Sequence, residues 1–246
     1  MKKRIFLSGA SSGIGEYLAY NYAKRSAIIG LSARREDKLE EVAEKCKELG
    51  GNATIYPLDV TDQKASKHAA KDFINLAGGI DLVIANAGVG GHDDLMNGDS
   101  SAINKIIMTN VSGVTNTLIP FIPIMKEQRS GILANVSSVA SYLRVPYHGG
   151  YAGSKANIRL MADSWRVTLS KYNIQITTIC PGFIETPMTA GQKHMPFLLS
   201  VETAAEKIVR AIDKGKKTFV FPWQMKMMIP LLRIMPDGLM RMFGSN

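Results

Sequence analysis

A tyrosine and a lysine in this chain have the spacing that proton-transfer chemistry requires, within the pentapeptide Tyr151-Ala152-Gly153-Ser154-Lys155. Residues four apart lie on one face of a helix, so the ammonium group of Lys155 is expected near the phenol of Tyr151. A free phenol titrates at about pH 10, and a nearby cation lowers that pKa because it stabilises the phenolate. The pair is therefore predicted to act as a general acid and base near neutral pH.

Two polar positions elsewhere in the chain accompany this pair. Ser138 ends the run Asn135-Val136-Ser137-Ser138, thirteen residues before Tyr151. Asn110 lies inside an apolar helical stretch, where a polar side chain is unfavourable unless it is bonded. Asn110 is thus either a site residue or an asparagine that packs between helices, and the presence of the other three residues favours the site.

A glycine-rich turn follows the first apolar run, in Ser8-Gly9-Ala10-Ser11-Ser12-Gly13-Ile14-Gly15. Its three glycines permit a tight turn and let backbone amides approach a pyrophosphate at the start of a helix. Taken alone, such a turn is as often an ordinary loop between a strand and a helix. Here an apolar strand precedes it and an amphipathic helix follows, which is the context of a dinucleotide site.

Two arginines follow the second apolar run, in Leu31-Ser32-Ala33-Arg34-Arg35. An acidic residue at the position of Ala33 would bond a ribose 2′-hydroxyl and repel a 2′-phosphate. The guanidinium of Arg34, with Arg35 beside it, suits a phosphate dianion. The alternative is two solvated arginines at a helix start, where the helix dipole disfavours cations. The sequence thus favours NADP(H) over NAD(H).

Short apolar runs alternate with longer helical stretches along the chain. Seven near-continuously apolar runs are predicted strands, as in a parallel sheet covered on both faces: 4–8, 27–32, 53–57, 81–85, 131–137, 174–180 and 218–221. Six stretches between them are predicted helices: 13–24, 35–49, 62–76, 101–126, 151–172 and 201–214. This alternation predicts a doubly wound α/β sheet whose ligands bind beyond the carboxyl ends of the strands.

Together these motifs resemble the short-chain dehydrogenase/reductase family, from about residue 3 to 221. The glycine spacing is that of the family, with Ser8 where it usually has threonine, and Ala85-Asn86-Ala87-Gly88 resembles its Asn-Asn-Ala-Gly. The segment 181–187, from Pro181 to Pro187, resembles its Pro-Gly segment. The resemblance implies a single Rossmann-type domain, an α/β fold with about seven parallel strands, that interconverts a carbonyl compound and an alcohol with NADP(H).

The resemblance also implies a role for each matching residue. Tyr151 would be the general acid and base, Lys155 would also hold the nicotinamide ribose, Ser138 would orient the substrate oxygen, and Asn110 would bind a relay water. Asp59 and Val60 would meet the adenine, and Asn86 would lie beside the adenosine ribose. The implied cofactor residues are Gly9, Ser11, Ser12, Gly13, Ile14, Gly15, Arg34, Arg35, Asp59, Val60, Asn86, Ala87, Gly88, Tyr151, Lys155, Pro181, Gly182, Ile184 and Thr186.

The substrate is left open by the sequence. Its expected walls are the segments 143–149, 90–92 and 188–199, and apolar side chains there indicate a lipophilic pocket, with Lys193 as a candidate carboxylate anchor. A lipid-like or steroid-like ketone, a 3-oxoacyl thioester, and a small diketone or aldehyde all fit. His92, His148 and His194 lack metal-ligand spacing, so no metal is expected. A catalytically silent NADP(H)-binding regulatory or scaffold protein is the alternative function.

Composition narrows the expected partners and compartment. The net charge is +9, yet no nucleic-acid-binding motif accompanies it. Cys46 and Cys180 match no redox or metal spacing, and no signal peptide or spanning helix is recognisable, so a cytoplasmic protein is expected. The helices at 101–126 and 151–172 form the usual dimer interface of the family, which implies a homodimer or homotetramer.

The chain past residue 222 departs from a minimal family member. We expect residues 1–222 to form the catalytic domain, and 223–246 to be an amphipathic helical extension of it. Pro230 and Pro236 are predicted to divide this extension into two short helices. Residues 214–246 carry six basic residues and one acid, a net charge of +5. The extension is interpreted as a subunit contact, a lid over the substrate cleft, or a membrane anchor through residues 223–243.

Overall fold

A parallel sheet of seven strands forms the centre of the computed structural model, which describes residues 2–192 and 195–236. The strands are β1 (Arg4–Ser8), β2 (Ile28–Ala33), β3 (Asn52–Pro57), β4 (Leu82–Ala85), β5 (Gly131–Val136), β6 (Ile174–Pro181) and β7 (Thr218–Phe221). Their order in the sheet is β3-β2-β1-β4-β5-β6-β7. The order therefore switches between β1 and β4, where such sheets bind their ligands.

Helices connect the strands. They are α1 (Gly13–Ala23), α2 (Glu36–Glu48), α3 (Gln63–Ala77), α4 (Ser101–Ile107), α5 (Gly113–Leu118), α6 (Ile122–Gln128), α7 (Gly149–Ser170), α8 (Val201–Asp213) and α9 (Trp223–Arg233). The start of α3 shows why the sequence folds in this way locally. The Asp62 carboxylate accepts a hydrogen bond from the amide of Ala65 at 2.9 Å, and so satisfies one of the unpaired amides at the helix start.

Successive residues of β1 point into two separate apolar cores. Ile5 and Leu7 belong to one cluster of buried side chains, and Phe6 belongs to the other. Because neighbouring side chains of a strand point to opposite faces, the two clusters cover the two faces of the sheet. The helices divide between them in the same way, through Leu18, Leu39 and Ile208 in the first cluster and Phe73, Leu118 and Ile158 in the second.

This architecture confirms the predicted fold class. All seven predicted strands are present with ends displaced by no more than one residue, and five of the six predicted helices have ends displaced by no more than two. The agreement has a simple cause. A strand of a doubly covered parallel sheet is buried on both faces, so it must be apolar at nearly every position. Such a run is easily recognised between charged helices.

The stretch predicted as one helix over residues 101–126 is instead divided. A π-helical turn (Met108–Ser112) separates α4 from α5, and a 3-10 turn (Ile119–Phe121) separates α5 from α6. Pro120 and Pro123 stand at the starts of the 3-10 turn and of α6, and neither has the N–H that a continuous helix uses. The prediction of a single helix was therefore wrong, and the π-helical turn contains Asn110.

The C-terminal extension also differs from the prediction, because α9 continues through Pro230 without a break. A proline inside a helix removes one hydrogen bond, but the buried side chains of Met225 and Ile229 hold the segment against the body. The remainder of the predicted extension, after Pro236, lies outside the described residues. Within the part of the chain described above, no helix has both the length and the apolarity needed to cross a bilayer.

Candidate active site

The residues singled out in the sequence gather at the carboxyl end of the sheet. Each group lies at or just after the carboxyl end of a strand. The groups are the glycine-rich turn after β1, Arg34 and Arg35 after β2, Asp59 after β3, Asn86 after β4, Ser138 after β5, and Gly182 after β6. Carboxyl ends of parallel strands meet at one edge of a sheet. The topology alone therefore explains why residues far apart in sequence form one site.

The glycine-rich turn has a backbone that only glycine accommodates. Gly9 and Gly13 have φ angles of +69° and +59°, in the left-handed region that favours glycine. A Cβ on Gly15 would stand 2.1 Å from the Gly9 carbonyl oxygen. Ser12, at the N-cap of α1, makes no side-chain bond to the helix amides. The first turn of α1 thus keeps its amides for an anionic group such as a pyrophosphate.

Asn86 fixes the turn to the neighbouring strand. Its amide nitrogen Nδ2 donates to the Gly9 carbonyl at 3.1 Å, and the Ala87 amide approaches the Ser8 hydroxyl at 3.4 Å. The same Nδ2 atom lies 2.7 Å from the point where a side chain on Gly15 would begin. The side chain of Asn86 is therefore part of the wall of the glycine-rich turn, in addition to the place beside the ribose that the resemblance implies.

The two arginines after β2 reach opposite sides of the site. The Arg35 guanidinium donates to the hydroxyls of Ser11 and Ser12 at 3.0 and 2.9 Å, and so lies over the glycine-rich turn. Arg34 extends towards Asp59, with 3.8 Å between Nη1 and Oδ2. The carboxylate at Asp59 does not neutralise both cations, so the end of β2 keeps a positive edge.

Asp59 and Val60 are held firmly in place by their neighbours. The Asp59 carboxylate accepts bonds from the amide and hydroxyl of Thr61 at 2.9 and 2.8 Å, and these bonds hold its pKa below the usual value, with the charge of Arg34 adding to the effect. The carbonyl of Val60 accepts a bond from Asn116 Nδ2 at 2.9 Å. Asn116, on α5, was not predicted, because nothing in its local sequence separates it from a surface residue.

The Ser138 hydroxyl lies close enough to the Tyr151 phenol to affect its pKa. Burial raises the pKa of the phenol above its ordinary value, and the interaction with Ser138 opposes this rise. Ser138 also accepts a bond from the amide of Ala140 at 3.1 Å, which orients its hydroxyl. The adjacent Ser137 faces elsewhere, since its hydroxyl donates to the carbonyl of Lys155 at 2.8 Å.

Lys155 is buried beside Tyr151, where its Nζ atom lies 5.8 Å from the centre of the phenol ring and donates to the Val136 carbonyl at 2.9 Å. Burial lowers the pKa of Lys155 to about 8, and Cys180 opposes that change. The expected lowering of the Tyr151 pKa by this cation is not present in this geometry. Burial of the phenol is the largest effect on this pKa and raises it.

Asn110 is fully buried in the π-helical turn and uses its whole side chain. Its Oδ1 accepts from the Val89 amide at 2.8 Å, while Nδ2 donates to the Val89 carbonyl at 2.9 Å and to the Ser154 hydroxyl at 3.0 Å. A Cβ on Gly88 would stand 3.1 Å from Asn110 Oδ1 and 3.2 Å from Lys155 Nζ. Asn110 therefore lies beside Lys155, and it also positions the loop after β4.

The segment after β6 turns back over the glycine-rich turn. The Gly182 amide donates to the Phe221 carbonyl at 2.7 Å, and Ile184 is buried in the first apolar cluster. The Thr186 methyl group lies 3.3 Å from where a side chain on Gly13 would begin. Thr189, which was not predicted, donates to the Ile184 carbonyl at 2.6 Å and closes this segment into a compact turn.

Asp93 is a further residue that the sequence did not reveal. Its side chain is buried, and Oδ2 accepts a bond from the Gly150 amide at 2.9 Å, at the first turn of the helix that carries Tyr151 and Lys155. Its own amide donates to the Tyr147 carbonyl at 2.6 Å. A carboxylate at a helix start is favoured by the helix dipole. Asp93 and Gly150 are 57 residues apart in the sequence, so a search for local capping residues does not find this contact.

The predicted substrate segments meet above this helix. The His92 and Tyr147 rings are stacked with centroids 5.0 Å apart, and His148 Nδ1 is bonded to the Gly91 carbonyl at 2.7 Å. The side chain of Met188, in the predicted flap, lies 3.9 Å from the Cβ position of Gly90. Lys193 and His194 lie outside the described residues. The segments around residues 91 and 147 therefore contact one another, through the His92 ring on one side and the His148 ring on the other.

These features fit a dinucleotide cofactor. Gly9 and Gly13 hold the turn in a left-handed backbone, and α1 begins there without a side-chain cap. From the glycine-rich turn, the candidate cofactor residues extend along the carboxyl edge of the sheet, through Asn86 and Gly88, to Tyr151 and Lys155. The adenosine end of such a cofactor would lie between β1 and β3, and its reactive end near Tyr151.

Comparison with known proteins identifies the class. A family model described as short chain dehydrogenase matches residues 3–196. The chain belongs to this family, and it is therefore an oxidoreductase of a family that binds a nicotinamide cofactor and acts on carbonyl or alcohol substrates.

Individual relatives cover nearly the whole chain. An uncharacterised oxidoreductase of Myxococcus xanthus is 34% identical over 95% of this chain and 92% of its own length. The 11-beta-hydroxysteroid dehydrogenase-like 3 protein of Arabidopsis thaliana is 35% identical over 96% of this chain and 78% of its own length. Among solved structures, an alcohol dehydrogenase of Thermococcus sibiricus in complex with 5-hydroxy-NADP is 27% identical, with a TM-score of 0.80 over 90% of this chain and 96% of its own.

The helix cap at Asp93 generates a prediction about stability. Asp93→Ala removes the acceptor for the Gly150 amide, and is expected to lower the free energy of unfolding by about 1–2 kcal/mol, which is typical for loss of a helix cap. Asp93→Asn should recover most of this loss, because its amide oxygen also accepts a bond. Urea denaturation measures both, with Asp94→Ala, at the exposed neighbouring position, as the control. Equal stability of the two alanine variants would contradict the role given to Asp93.

The buried Lys155 generates a prediction about pH. Its folded-state pKa of about 8 lies below the ordinary value of 10.5, so the folded protein carries the cost of a buried charge below pH 8 and loses that cost as the pH rises towards 10.5. The free energy of unfolding should therefore gain about 3 kcal/mol from this group across that window. Lys155→Met should lack the gain.

Urea denaturation at about pH 7 and about pH 10 tests this, with the difference between wild type and Lys155→Met as the measured quantity. Lys71→Met, at an exposed position of α3, is the matched control and should follow the wild type. If Lys155→Met and wild type change in parallel between the two pH values, Lys155 is charged equally in the folded and unfolded chain.

Proposed function

We propose that the chain is an NADP(H)-dependent oxidoreductase that interconverts a ketone or aldehyde and the corresponding alcohol, on a lipophilic substrate, with Tyr151 as the general acid and base. The observation that carries this proposal is the buried Lys155 beside the Tyr151 ring, with the Ser138 hydroxyl close enough to affect the phenol. Family membership supplies the reaction class, and these three side chains supply groups for its proton transfer.

The bound cofactor supplies a hydride to the carbonyl carbon, or accepts one from the alcohol in the reverse direction. As the carbonyl oxygen gains negative charge, the Tyr151 hydroxyl donates its proton to that oxygen. The Ser138 hydroxyl donates a second hydrogen bond to the same oxygen and holds it in line with the phenol. A phenol with a raised pKa remains protonated before the reaction, which suits it to act as the acid in reduction.

Lys155 returns a proton to the Tyr151 phenolate in this proposal. A lysine with a pKa of about 8 exchanges protons near neutral pH more readily than an ordinary lysine does. Asn110 lies beside it, across Gly88, and would hold a water molecule that connects the lysine to solvent. In its charged form, the ammonium also stabilises the phenolate and holds the nicotinamide ribose.

The preference for NADP(H) is proposed from charge. Ala33 leaves the end of β2 without an acid, Arg35 donates to the hydroxyl groups of Ser11 and Ser12, and Arg34 lies nearby with its guanidinium towards Asp59. Guanidinium groups with adjacent hydroxyl donors suit a 2′-phosphate. The Thermococcus sibiricus relative was solved with an NADP derivative, which is in line with this assignment.

The lipophilic substrate is proposed from the apolar side chains of the flap. Met188, Phe197 and Leu198 are 52%, 42% and 41% exposed, although each is large and apolar. The Arabidopsis relative is described as hydroxysteroid dehydrogenase-like. Both observations favour a lipid-like or steroid-like ketone over a charged substrate, and a panel of carbonyl compounds with NADPH consumption as the readout identifies it.

We also propose a homodimer or homotetramer, with α9 as part of the single catalytic domain. On α7, Leu160 and Val167 are 65% and 79% exposed, and Ile107 and Met108 on the helices before β5 are also exposed. Large apolar side chains on these faces suit a contact between subunits.

Tyr151→Phe tests the proposed chemistry. The substitution removes only the phenolic hydroxyl, so turnover is expected to fall by about 100- to 10,000-fold, while NADPH binding, followed by fluorescence, stays nearly unchanged. Tyr172→Phe, beyond the end of α7, is the control and should keep the wild-type rate. A Tyr151→Phe variant that turns over a verified substrate at most of the wild-type rate would refute the assignment.

Arg34→Ala tests the cofactor preference. Loss of a charge-assisted phosphate contact is expected to reduce the ratio of NADPH to NADH affinity by about 10- to 150-fold. Arg35→Ala should cause a smaller change, because its guanidinium is shared with the serine hydroxyls of the turn. Arg25→Ala, at an exposed position far from β2's end, is the control. An unaltered ratio in both the Arg34 and the Arg35 variants means that the 2′-phosphate is not bound here.

A further inference from the structure

The helix α9 is apolar on two opposite faces. Met225 and Ile229 are 6% and 8% exposed and pack onto the body. On the other side, four large apolar residues, three within α9 and the last directly after it, are 63% to 79% exposed at successive spacings of four, four and three: Trp223, Met227, Leu231 and Ile234. With 3.6 residues per turn, such spacings place them in one line along the helix. We call this line the outer stripe.

The outer stripe is presented from a fixed position next to the candidate site. The Met225 side chain lies 3.3 Å from where a side chain on Gly182 would begin, at the segment after β6. At the other end of α9, Arg144 donates a hydrogen bond to the carbonyl of Met235. Arg144 belongs to the predicted substrate wall. The helix is therefore attached at both ends to segments that border the site.

Charge indicates what covers the outer stripe. The segment Trp223–Arg233 contains two basic residues, Lys226 and Arg233, and no acid. These two are seven apart, so they lie on the same flank of the helix, beside the stripe. The region 214–246 has a net charge of +5. A second copy seated here by two-fold symmetry would bring like charges together, because such a contact pairs a surface with itself. An anionic surface is complementary.

We propose that the outer stripe of α9 lies in the headgroup layer of an anionic bilayer, with Lys226 and Arg233 against the lipid headgroups. A helix with an apolar face that bears tryptophan and a basic flank binds membranes in this way. The contact would hold the substrate segments at the membrane surface, where lipophilic carbonyl compounds partition. This inference deepens the proposed function, but the binding itself requires no turnover.

Flotation of the full chain with vesicles tests the proposal. The protein should float with vesicles of phosphatidylcholine and phosphatidylserine, and far less with phosphatidylcholine alone, and salt should weaken the binding. The triple variant Trp223→Gln, Met227→Gln, Leu231→Gln should lose flotation. The double variant Leu76→Gln, Met96→Gln removes apolar side chains that are 60% and 95% exposed elsewhere, and should float like the wild type.

The two basic residues give a second, quantitative test. The double variant Lys226→Gln, Arg233→Gln should bind the anionic vesicles about 30-fold more weakly than the wild type, from the usual contribution of a basic side chain near an anionic membrane. Binding to phosphatidylcholine alone should be unchanged. The matched control, Lys45→Gln with Lys47→Gln, removes two exposed lysines of α2 and should reduce anionic binding less.

Tryptophan fluorescence reports the depth of the contact. The chain has two tryptophans; Trp223 is 70% exposed, and Trp165 packs against the second apolar cluster. Phosphatidylcholine and phosphatidylserine vesicles that contain lipids brominated on the acyl chains should quench the wild type, and should not quench Trp223→Phe. Equal quenching of the two proteins would overturn the insertion of the outer stripe.

Two other outcomes also overturn the proposal. If the wild type floats with neither vesicle, the stripe has no affinity for a bilayer. If, in addition, the triple variant forms a smaller species than the wild type in light scattering, a second copy covers the stripe. Turnover of a water-soluble carbonyl compound with NADPH is measured separately on every variant. If the wild type shows no such turnover, the proposed function is contradicted, and the flotation result still stands.

Discussion

The candidate site depends on the joint between the end of β5 and the helix α7. The Ser137 hydroxyl donates to the Lys155 carbonyl, and Lys155 Nζ donates to the Val136 carbonyl. These two bonds run in opposite directions between the same two elements, so they fix both the position and the rotation of the helix against the sheet. The relation between Ser138 on the strand side and Tyr151 on the helix follows from this joint, since neither residue lies on a segment that is free to move independently.

The joint has an energetic cost, which the surrounding residues limit. A lysine with no carboxylate partner at its Nζ is unfavourable in a protein interior, and its lowered pKa reflects that cost. Gly88 leaves room for the ammonium group, and Asn110 satisfies the amide and the carbonyl of Val89 next to it. The π-helical turn belongs to the same arrangement, because single π-helical turns inside α-helices commonly occur at functional sites.

The sequence predicted the fold, and the residues it singled out lie together in the structure, for physical reasons that did not extend to the rest of the site. Buried strands must be apolar, and a turn against a pyrophosphate must contain glycine, so β1 and Gly9 were recognisable locally. Asp93 and Asn116 were not, because each acts on a segment more than 50 residues away. The helix at 101–126 was mispredicted because the prediction used the spacing of apolar residues. That spacing takes no account of the backbone N–H groups that Pro120 and Pro123 lack. The course of α9 through Pro230 depends on tertiary contacts of Met225 and Ile229, which outweigh local preference.

The same distinction separates the central residues of the candidate site from the segments around it. The central residues lie on strand ends and on α7, where the sheet positions them. The substrate segments around Gly91, Tyr147 and Arg144 are held instead by bonds between loops and by the attachment of Arg144 to the end of α9. The helix α9 also packs against β7 and against the 3-10 turn Val139–Tyr142, so it contacts the edge of the sheet as well as the predicted substrate wall. The C-terminal extension is thereby connected to the segments predicted to bind the substrate, while the joint between β5 and α7 is held by its own hydrogen bonds.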